Sequence, residues 1–318
     1  MITIVAAPPF ATVQDTGRQG HRAAGVPPGG AMDPVSLAAG NLLVGNPPDA
    51  AAIEWYIGAG ELRFDRPTRF TLTGAAVTAE LSGRPAENWQ PLSAAAGDVL
   101  RVDSFTTGAW LYFSVAGGVA VPLSLGSRST YLPAHFGGLQ GRLLRTGDQL
   151  PLGASPRHRD AGPVSPTAFA ASAARTASLS PFNPDPIAVM PGPARQLLPI
   201  HAWARLLSEC RLSPYVSRMG YRFETPLLPI DSPPDSPSVP SLPGSVQLPP
   251  GGAPIVLMND GPTVGGYPVI AVVATADLGR LAQRRPGEPV RFVEITRAEA
   301  RARFATLEVA LARLAPSP

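Results

Sequence analysis

In the first half of the chain, apolar residues alternate with polar ones in short runs bounded by turn residues. The runs are "AAIEWYI" (51–57), "ELRF" (61–64), "RFTLTG" (69–74), "AVTAEL" (76–81), "VLRV" (99–102) and "WLYFSV" (110–115). Such runs, closely and evenly spaced, predict strands of a β-barrel or sandwich. One helix interrupts them: Asp33 is a good N-cap, Pro34 suits the first helical position, and "VSLAAGNLLVGN" ends on Gly45 and Asn46.

In the second half, strands are expected near "PIAVMPG" (186–192), "GSVQLP" (244–249), "PIVLMND" (254–260), "YPVIAVV" (267–273) and "VRFVEI" (290–295). Helices are expected over 202–209 and 296–314, the second opened by Thr296 as N-cap with Glu299 completing a capping box. The stretch 232–244 is too rich in proline for either. Three segments, "AAGDVLRV", "RTGDQLPL" and "RPGEPVRFV", repeat a glycine and an acid before an extended run, a shared turn into a strand. The chain therefore divides into a β-rich part over 1–152, an Ala/Ser/Pro-rich linker or excursion over 153–185, and a β-rich part over 186–318 that ends in a helix.

The 318 residues suffice for one large or two modest domains with proper cores. All 26 basic residues are arginine, since the sequence holds no lysine. That excludes a P-loop of the form GxxxxGK[ST], a Schiff-base lysine and a biotinyl-lysine. The arginines are scattered, so no basic groove for nucleic acid is expected. No apolar run reaches the length of a membrane helix. The single cysteine, Cys210, makes no intrachain disulfide, and Met1 to Phe10 lacks the pattern of a signal peptide, which points to the cytoplasm.

His21, His135, His158 and His201 lie far apart without metal-ligand spacing, so no metal site is expected. What remains is arginine, acid and tyrosine chemistry set in glycine turns. The stretch "QDTGRQGHRAAGVPPGGAMD" (14–33) brings five glycines around Asp15, Arg18 and Asp33 and runs into the helix at Pro34. "GSRST" (126–130) presents Arg128, "SRMGYRF" (217–223) Arg218 and Tyr221, and "NDGPTVGGYP" (259–268) Asp260 and Tyr267; Gln247 stands in "GSVQLP". Arginine offers a planar fork for a carboxylate or phosphate, and glycine lets a ligand approach the backbone. For any one of these turns, tight packing at a barrel corner is the simpler reading, and only their joint occurrence brings a binding site level with it.

The segments "VQDTGRQGHRAAGVPPGGAMDPVSLAAGNLLVGN", "VAGGVAVPLSLGSRSTYL", "SRMGYRF", "PGSVQLPPGGAPIVLMND" and "VGGYPVIAVVATADLGRLAQRRPGEPVRFV" resemble, in that order, the biotin-dependent carboxyltransferase or allophanate hydrolase subunit 2 family, whose bacterial members include the C subunit of 5-oxoprolinase. The resemblance implies a mainly β fold of cyclophilin-like barrel architecture with a few helices. It implies a subunit 1 (kinase-inhibitor-like) homologue as partner and a lactam-hydrolase-like subunit, which together open 5-oxoproline to glutamate with ATP bound at the level of the complex. A small lactam or ureido ligand is implied, with biotin supplied only by a separate carrier. Two alternatives stand beside this: a carboxyltransferase component of the urea carboxylase kind, and a non-catalytic regulatory module of the kind that pairs with a kinase inhibitor in sporulating bacteria. Asp15, Arg18, Asp33, Arg128, Arg218, Tyr221, Gln247, Asp260 and Tyr267 are the ligand-binding candidates, with Arg218, Tyr221, Asp15 and Asp260 expected to line the main pocket. The chain departs from the family's motifs at Gly29, Ser217 and Val264, where serine, aspartate and threonine are usual.

Overall fold

The computed structural model describes residues 1–154, 186–208, 210–224, 227–229 and 237–314. The stretch expected as a linker lies outside these from residue 155 onward. The described residues fall into two compact units: one takes those of 1–18, 29–182 and 307–318, the other those of 19–28 and 183–306. Both are built mainly of β-strands, curled in part into a nearly closed barrel.

The sheet of the first unit contains β1 (Ile2–Ala6), β2 (Phe10–Gln14), β3 (Ala52–Tyr56), β4 (Gly60–Phe64), β5 (Thr68–Leu81), β6 (Arg84–Pro85), β7 (Leu92–Ala94), β8 (Val99–Val115) and β9 (Gln149–Leu150). Its main path runs β2-β3-β8-β4-β1-β9, and β5 pairs with β8. The runs 69–74 and 76–81 are one strand, as are 99–102 and 110–115. Along one edge β8 pairs with β4 through residues 99–102 and with β3 through 110–113, while β5 follows its other edge. Register shifts between Gly74 and Ala76 and twice more up to Ala79 bend this long antiparallel pair, which lets the sheet curl around its core. The core face carries Trp55, Leu62, Leu72 and Leu111 around the rings of Phe64, Phe70 and Phe113. Helix α1 (Pro34–Leu43) begins where Asp33 accepts the Ser36 N–H, as the sequence predicts.

The second unit holds β10 (Ile187–Pro191), β11 (Cys210–Val216), β12 (Gly220–Phe223), β13 (Val239–Pro240), β14 (Ser245–Gln247), β15 (Ile255–Leu257), β16 (Val264–Gly265), β17 (Val269–Val273), β18 (Pro289–Val290) and β19 (Phe292–Glu294). The order of its main sheet is β18-β11-β12-β15-β14-β17-β10-β19, and β13 with β16 forms a separate ribbon. That ribbon places a short strand inside the proline-rich stretch expected to have none. Helices α2 (Ile200–Ser208), α3 (Thr275–Ala282) and α4 (Arg297–Ala312) complete the described chain. At the start of α4, Glu299 Oε2 accepts the Thr296 N–H (2.7 Å) and Thr296 Oγ1 accepts the Glu299 N–H (3.2 Å), which is the expected capping box. The sequence pattern does not predict α3 or, among the longer strands, β1, β2, β11 and β12. Cys210 is buried, and burial pushes its thiol up to about 12, so it packs as an apolar residue rather than a nucleophile.

Candidate functional site

In the first unit the chain turns at Asp15 directly after β2. Oδ1 of Asp15 accepts from the Gly17 N–H (2.8 Å), Ser127 Oγ (2.6 Å) and Ser129 Oγ (2.5 Å), and Oδ2 from the Arg128 N–H (2.6 Å). The Asp15 N–H donates to Ser129 Oγ (3.0 Å), and its carbonyl accepts the Ala31 N–H (2.9 Å). One buried residue thus ties three segments together: its carboxylate holds the start of the glycine-rich loop to the "GSRST" turn, and its backbone carbonyl holds the residues before α1. The crossing is close enough to demand glycine at position 30, where φ is +83° and a Cβ would lie 2.7 Å from the Gly17 nitrogen. Arg18, also buried, donates from Nη2 to the Ser129 carbonyl (2.5 Å) and lies 4.8 Å over the Phe136 ring. Arg128 donates from Nε to the Val121 carbonyl (2.9 Å), a bond that caps a corner of the backbone.

Behind this turn the sheet has a further face, fully buried and polar. Thr12, Glu54, Tyr112 and Thr73 stand opposite one another across β2, β3, β8 and β5, and all four are inaccessible to solvent. Glu54 Oε2 accepts from the Tyr112 hydroxyl (2.8 Å) and from the Met32 N–H (2.7 Å), while the Tyr112 oxygen accepts the Asp33 N–H (2.7 Å). Asp33 caps α1 with both oxygens, Oδ1 on the Ser36 N–H (3.1 Å) and Oδ2 on the Ser36 hydroxyl (2.6 Å). Burial first, and then the charges of Glu54 and Asp33, hold the Tyr112 phenol well above its usual range, which keeps it a donor. Glu54 and Tyr112 are absent from the sequence candidates. The available signal is an acid and a tyrosine at the supposedly solvent-facing positions of otherwise apolar strands. The face they occupy lies under α1, where Thr71 and Thr73 donate to the Gly40 and Ser36 carbonyls (3.1 and 2.7 Å).

In the second unit "SRMGYRF" is not an open loop but a hairpin. Ser217 and Gly220 exchange backbone hydrogen bonds (3.1 and 3.2 Å) between β11 and β12, leaving Arg218 and Met219 at the tip. Met219 is exposed, whereas Arg218 is 4% exposed and grips Asp260, itself 2% exposed, through Nε–Oδ2 (2.8 Å) and Nη2–Oδ1 (2.9 Å). The Asp260 N–H donates to the Arg218 carbonyl (2.8 Å) and the Met258 N–H to the Met219 carbonyl (3.1 Å). Ser217 accepts the Met219 N–H on its hydroxyl oxygen (3.2 Å), which tightens the tip.

These placements correct two expectations. The Arg218 edge expected to hold a ligand carboxylate is engaged by the chain's own Asp260, an arrangement that fixes the hairpin tip. Tyr221 is a core residue rather than a pocket wall, inaccessible to solvent and donating its hydroxyl to the Ala282 carbonyl (2.8 Å). Gln247 is buried with Nε2 directed at Ser241 Oγ (3.4 Å), while Tyr267 is 46% exposed. Asp15, Arg18, Asp33 and Arg128 belong to the first unit, and Arg218, Tyr221, Gln247, Asp260 and Tyr267 to the second.

Residues 24–294 match the family described as carboxyltransferase domain, subdomain A and B. The chain belongs to that family. It is 37% identical to the C subunit of 5-oxoprolinase from Escherichia coli strain K12 over 307 residues, covering 94% of this chain and 93% of that one. The corresponding 5-oxoprolinase protein of Haemophilus influenzae is 37% identical over 303 residues with the same coverage. The urea amidolyase of Lachancea kluyveri is 32% identical over 307 residues, which are 90% of this chain and 16% of that protein. The crystal structure of K. lactis urea amidolyase superposes with a TM-score of 0.87 at 27% identity, over 99% of this chain and 20% of that one. The carboxyltransferase family therefore includes end-to-end relatives of this chain and relatives in which it corresponds to one part of a much longer protein. Among the described residues, no helix is long and apolar enough to cross a membrane.

Proposed function

We propose that this chain is the C subunit of a multi-component, ATP-dependent 5-oxoprolinase, which opens 5-oxo-L-proline to L-glutamate and needs its partner subunits to do so. The observation that carries this reading is the end-to-end match to two 5-oxoprolinase proteins of that kind, at 37% identity and 93% of their length. Two features of the chain support dependence on partners. No lysine is present for a P-loop, a Schiff base or a biotin attachment. The buried acids Asp15 and Asp260 have both oxygens engaged in holding turns, which leaves neither placed as a general base. In this reading the machinery is completed by a subunit 1 homologue and a lactam-hydrolase-like protein, with ATP at the complex level, in the cytoplasm.

A second reading, a carboxyltransferase component that accepts carboxybiotin from a separate carrier, is favoured by the TM-score of 0.87 to urea amidolyase. One experiment separates the two. The chain is co-purified with the products of its genomic neighbours and assayed for ATP-dependent glutamate release from 5-oxoproline and for biotin-dependent carboxyl transfer to urea. Glutamate release that needs all components, with none from the isolated chain, is the expected result. Carboxyl transfer without lactam opening replaces the first reading with the second, and turnover by the pure single chain overturns dependence on partners.

A further inference from the structure

The ribbon of β13 and β16 in the second unit turns the usual pattern of a half-buried sheet inside out. Val239 pairs with Gly265 and Pro240 with Val264. The Ser241 N–H donates to the Thr263 carbonyl (2.9 Å), which carries the same register on and brings Leu242 level with Pro262. Residues directly opposite share a face, and neighbours along a strand alternate. One face therefore holds Ser241, Thr263 and Gly265, with Val239 at its open end, and the other holds Pro240, Leu242, Pro262 and Val264.

The first of these faces is turned inward. Ser241 is inaccessible to solvent and accepts from the buried Gln247 Nε2 (3.4 Å). Gly265 lies so close that a Cβ there would stand 2.6 Å from Gln247 Nε2 and 3.1 Å from Ser241 Oγ. The apolar face is the open one: Leu242 is 56% exposed and Val264 57%, with Pro240 and Pro262 exposed beside them. Ordinary half-buried strands do the reverse. Met219 extends the patch. Its carbonyl accepts the Met258 N–H and would stand 2.9 Å from a Cβ on Gly261, so the exposed hairpin tip sits against the residue that precedes Pro262. Tyr267, two residues past β16, adds an exposed ring.

Charge is missing from this surface. Over residues 237–276 the sequence holds one charged residue, Asp260, in a chain that is 15% charged, and that carboxylate is buried against Arg218. An apolar patch without charge, supplied by Met, Tyr, Leu and Val side chains, has the composition of an interface core. Its complement is an equally uncharged surface, because a charged one would lose its water here and find nothing to pair with.

We propose that the outward face of the β13–β16 ribbon docks an apolar, uncharged surface of a partner subunit. The occupant rests on the reading of this chain as one subunit of a multi-component enzyme. Such a subunit holds its partners by surface contact alone, whereas in the urea amidolyase of Lachancea kluyveri the corresponding part is 16% of one long protein.

The test combines Leu242→Asp and Val264→Asp in the full chain, co-expressed with the products of its genomic neighbours. Both side chains are exposed, so the variant is expected to fold as the wild type does, which circular dichroism and a urea melt verify. Leu242→Ser with Val264→Thr is the milder pair should the acids disturb the ribbon. The expected result is a wild-type chain that co-elutes with at least one neighbour product, and a folded variant that binds the same product at least about tenfold more weakly. Equal affinity in a folded variant overturns the docking surface and leaves the subunit reading standing. A wild-type chain that holds none of the neighbour products fails that reading and the proposed occupant with it. Sedimentation of the isolated chain addresses the other occupant: a concentration-dependent dimer that the substitutions abolish assigns the face to a second copy and overturns the partner subunit.

Discussion

Asp15 in the first unit and Asp260 in the other are alike in sequence context, each an acid close to a glycine in a turn, and both are buried with two occupied oxygens. They are held by different physics. Asp15 is surrounded by neutral donors, two backbone N–H groups and two serine hydroxyls, so its charge is spread over many modest hydrogen bonds. Asp260 meets the guanidinium of Arg218 in a two-point fork, so its charge is met by one partner of opposite sign. A carboxylate solvated by neutral dipoles loses its support piecemeal. A buried ion pair loses it all at once and leaves the other charge stranded.

The largest effect should therefore come from breaking the pair. Asp260→Leu and Arg218→Met are each expected to destabilise the protein by about 3–5 kcal/mol in denaturant unfolding, because each strands a buried charge. The double variant should recover most of that loss, since no charge remains to be desolvated. A double variant no more stable than either single one would mean that the hairpin tip depends on something other than the pair.

Asp15→Asn should cost less, about 1–3 kcal/mol. Asparagine keeps one acceptor oxygen, the two serine hydroxyls can rotate, and the Arg128 N–H is left facing an amide that cannot accept from it. Ser127→Ala and Ser129→Ala, each removing one neutral donor, should fall near about 1 kcal/mol. An Asp15→Asn variant as damaged as Asp260→Leu would erase the distinction between the two turns.

The same contrast explains what the sequence makes legible. Asp33 at the start of α1 and the Thr296–Glu299 box are readable because their partners lie three residues away. Arg218 and Asp260 each stand out, but their union does not, because 42 residues separate them and nothing local distinguishes an arginine that grips its own chain from one that awaits a ligand. Strands 51–57 and 110–115 are readable from alternation against the apolar core. The same alternation misplaces Glu54 and Tyr112, since it assigns polar positions to solvent and cannot see α1 lying over them. The long strands β5 and β8 read as fragments because each register shift resets the alternation. β11 and β12 are hidden by Pro214 and by a hairpin tip whose serine, arginine and glycine fit an open loop equally well.

A third acid sharpens the comparison by repeating the fork of Asp260 nearer to solvent. Arg142 binds Asp148 through Nη1–Oδ2 (2.7 Å) and Nη2–Oδ1 (2.8 Å), with side chains 21% and 13% exposed, and Asp148 also accepts the Arg145 N–H (2.7 Å). The hydrogen bonds from Arg142 hold the Asp148 carboxyl below the usual carboxylate range, although partial burial works against them. A carboxyl whose value is lower in the folded chain than in the unfolded one adds stability above the unfolded value, about pH 4. That stability is lost as the pH falls through the folded value. Near neutral pH, Asp148→Asn is expected to cost only about 0.5–1 kcal/mol, because solvent screens this two-point pair, which Arg142 makes end-on through both Nη atoms where Arg218 grips Asp260 side-on. The cost should shrink in high salt and vanish in acid, where the wild-type carboxyl is itself protonated. Urea melts of the two proteins across that range decide the matter: a difference that stays constant from neutral to acid would show that Asp148 acts through its shape and its Arg145 contact, and that the fork adds nothing when water can reach it.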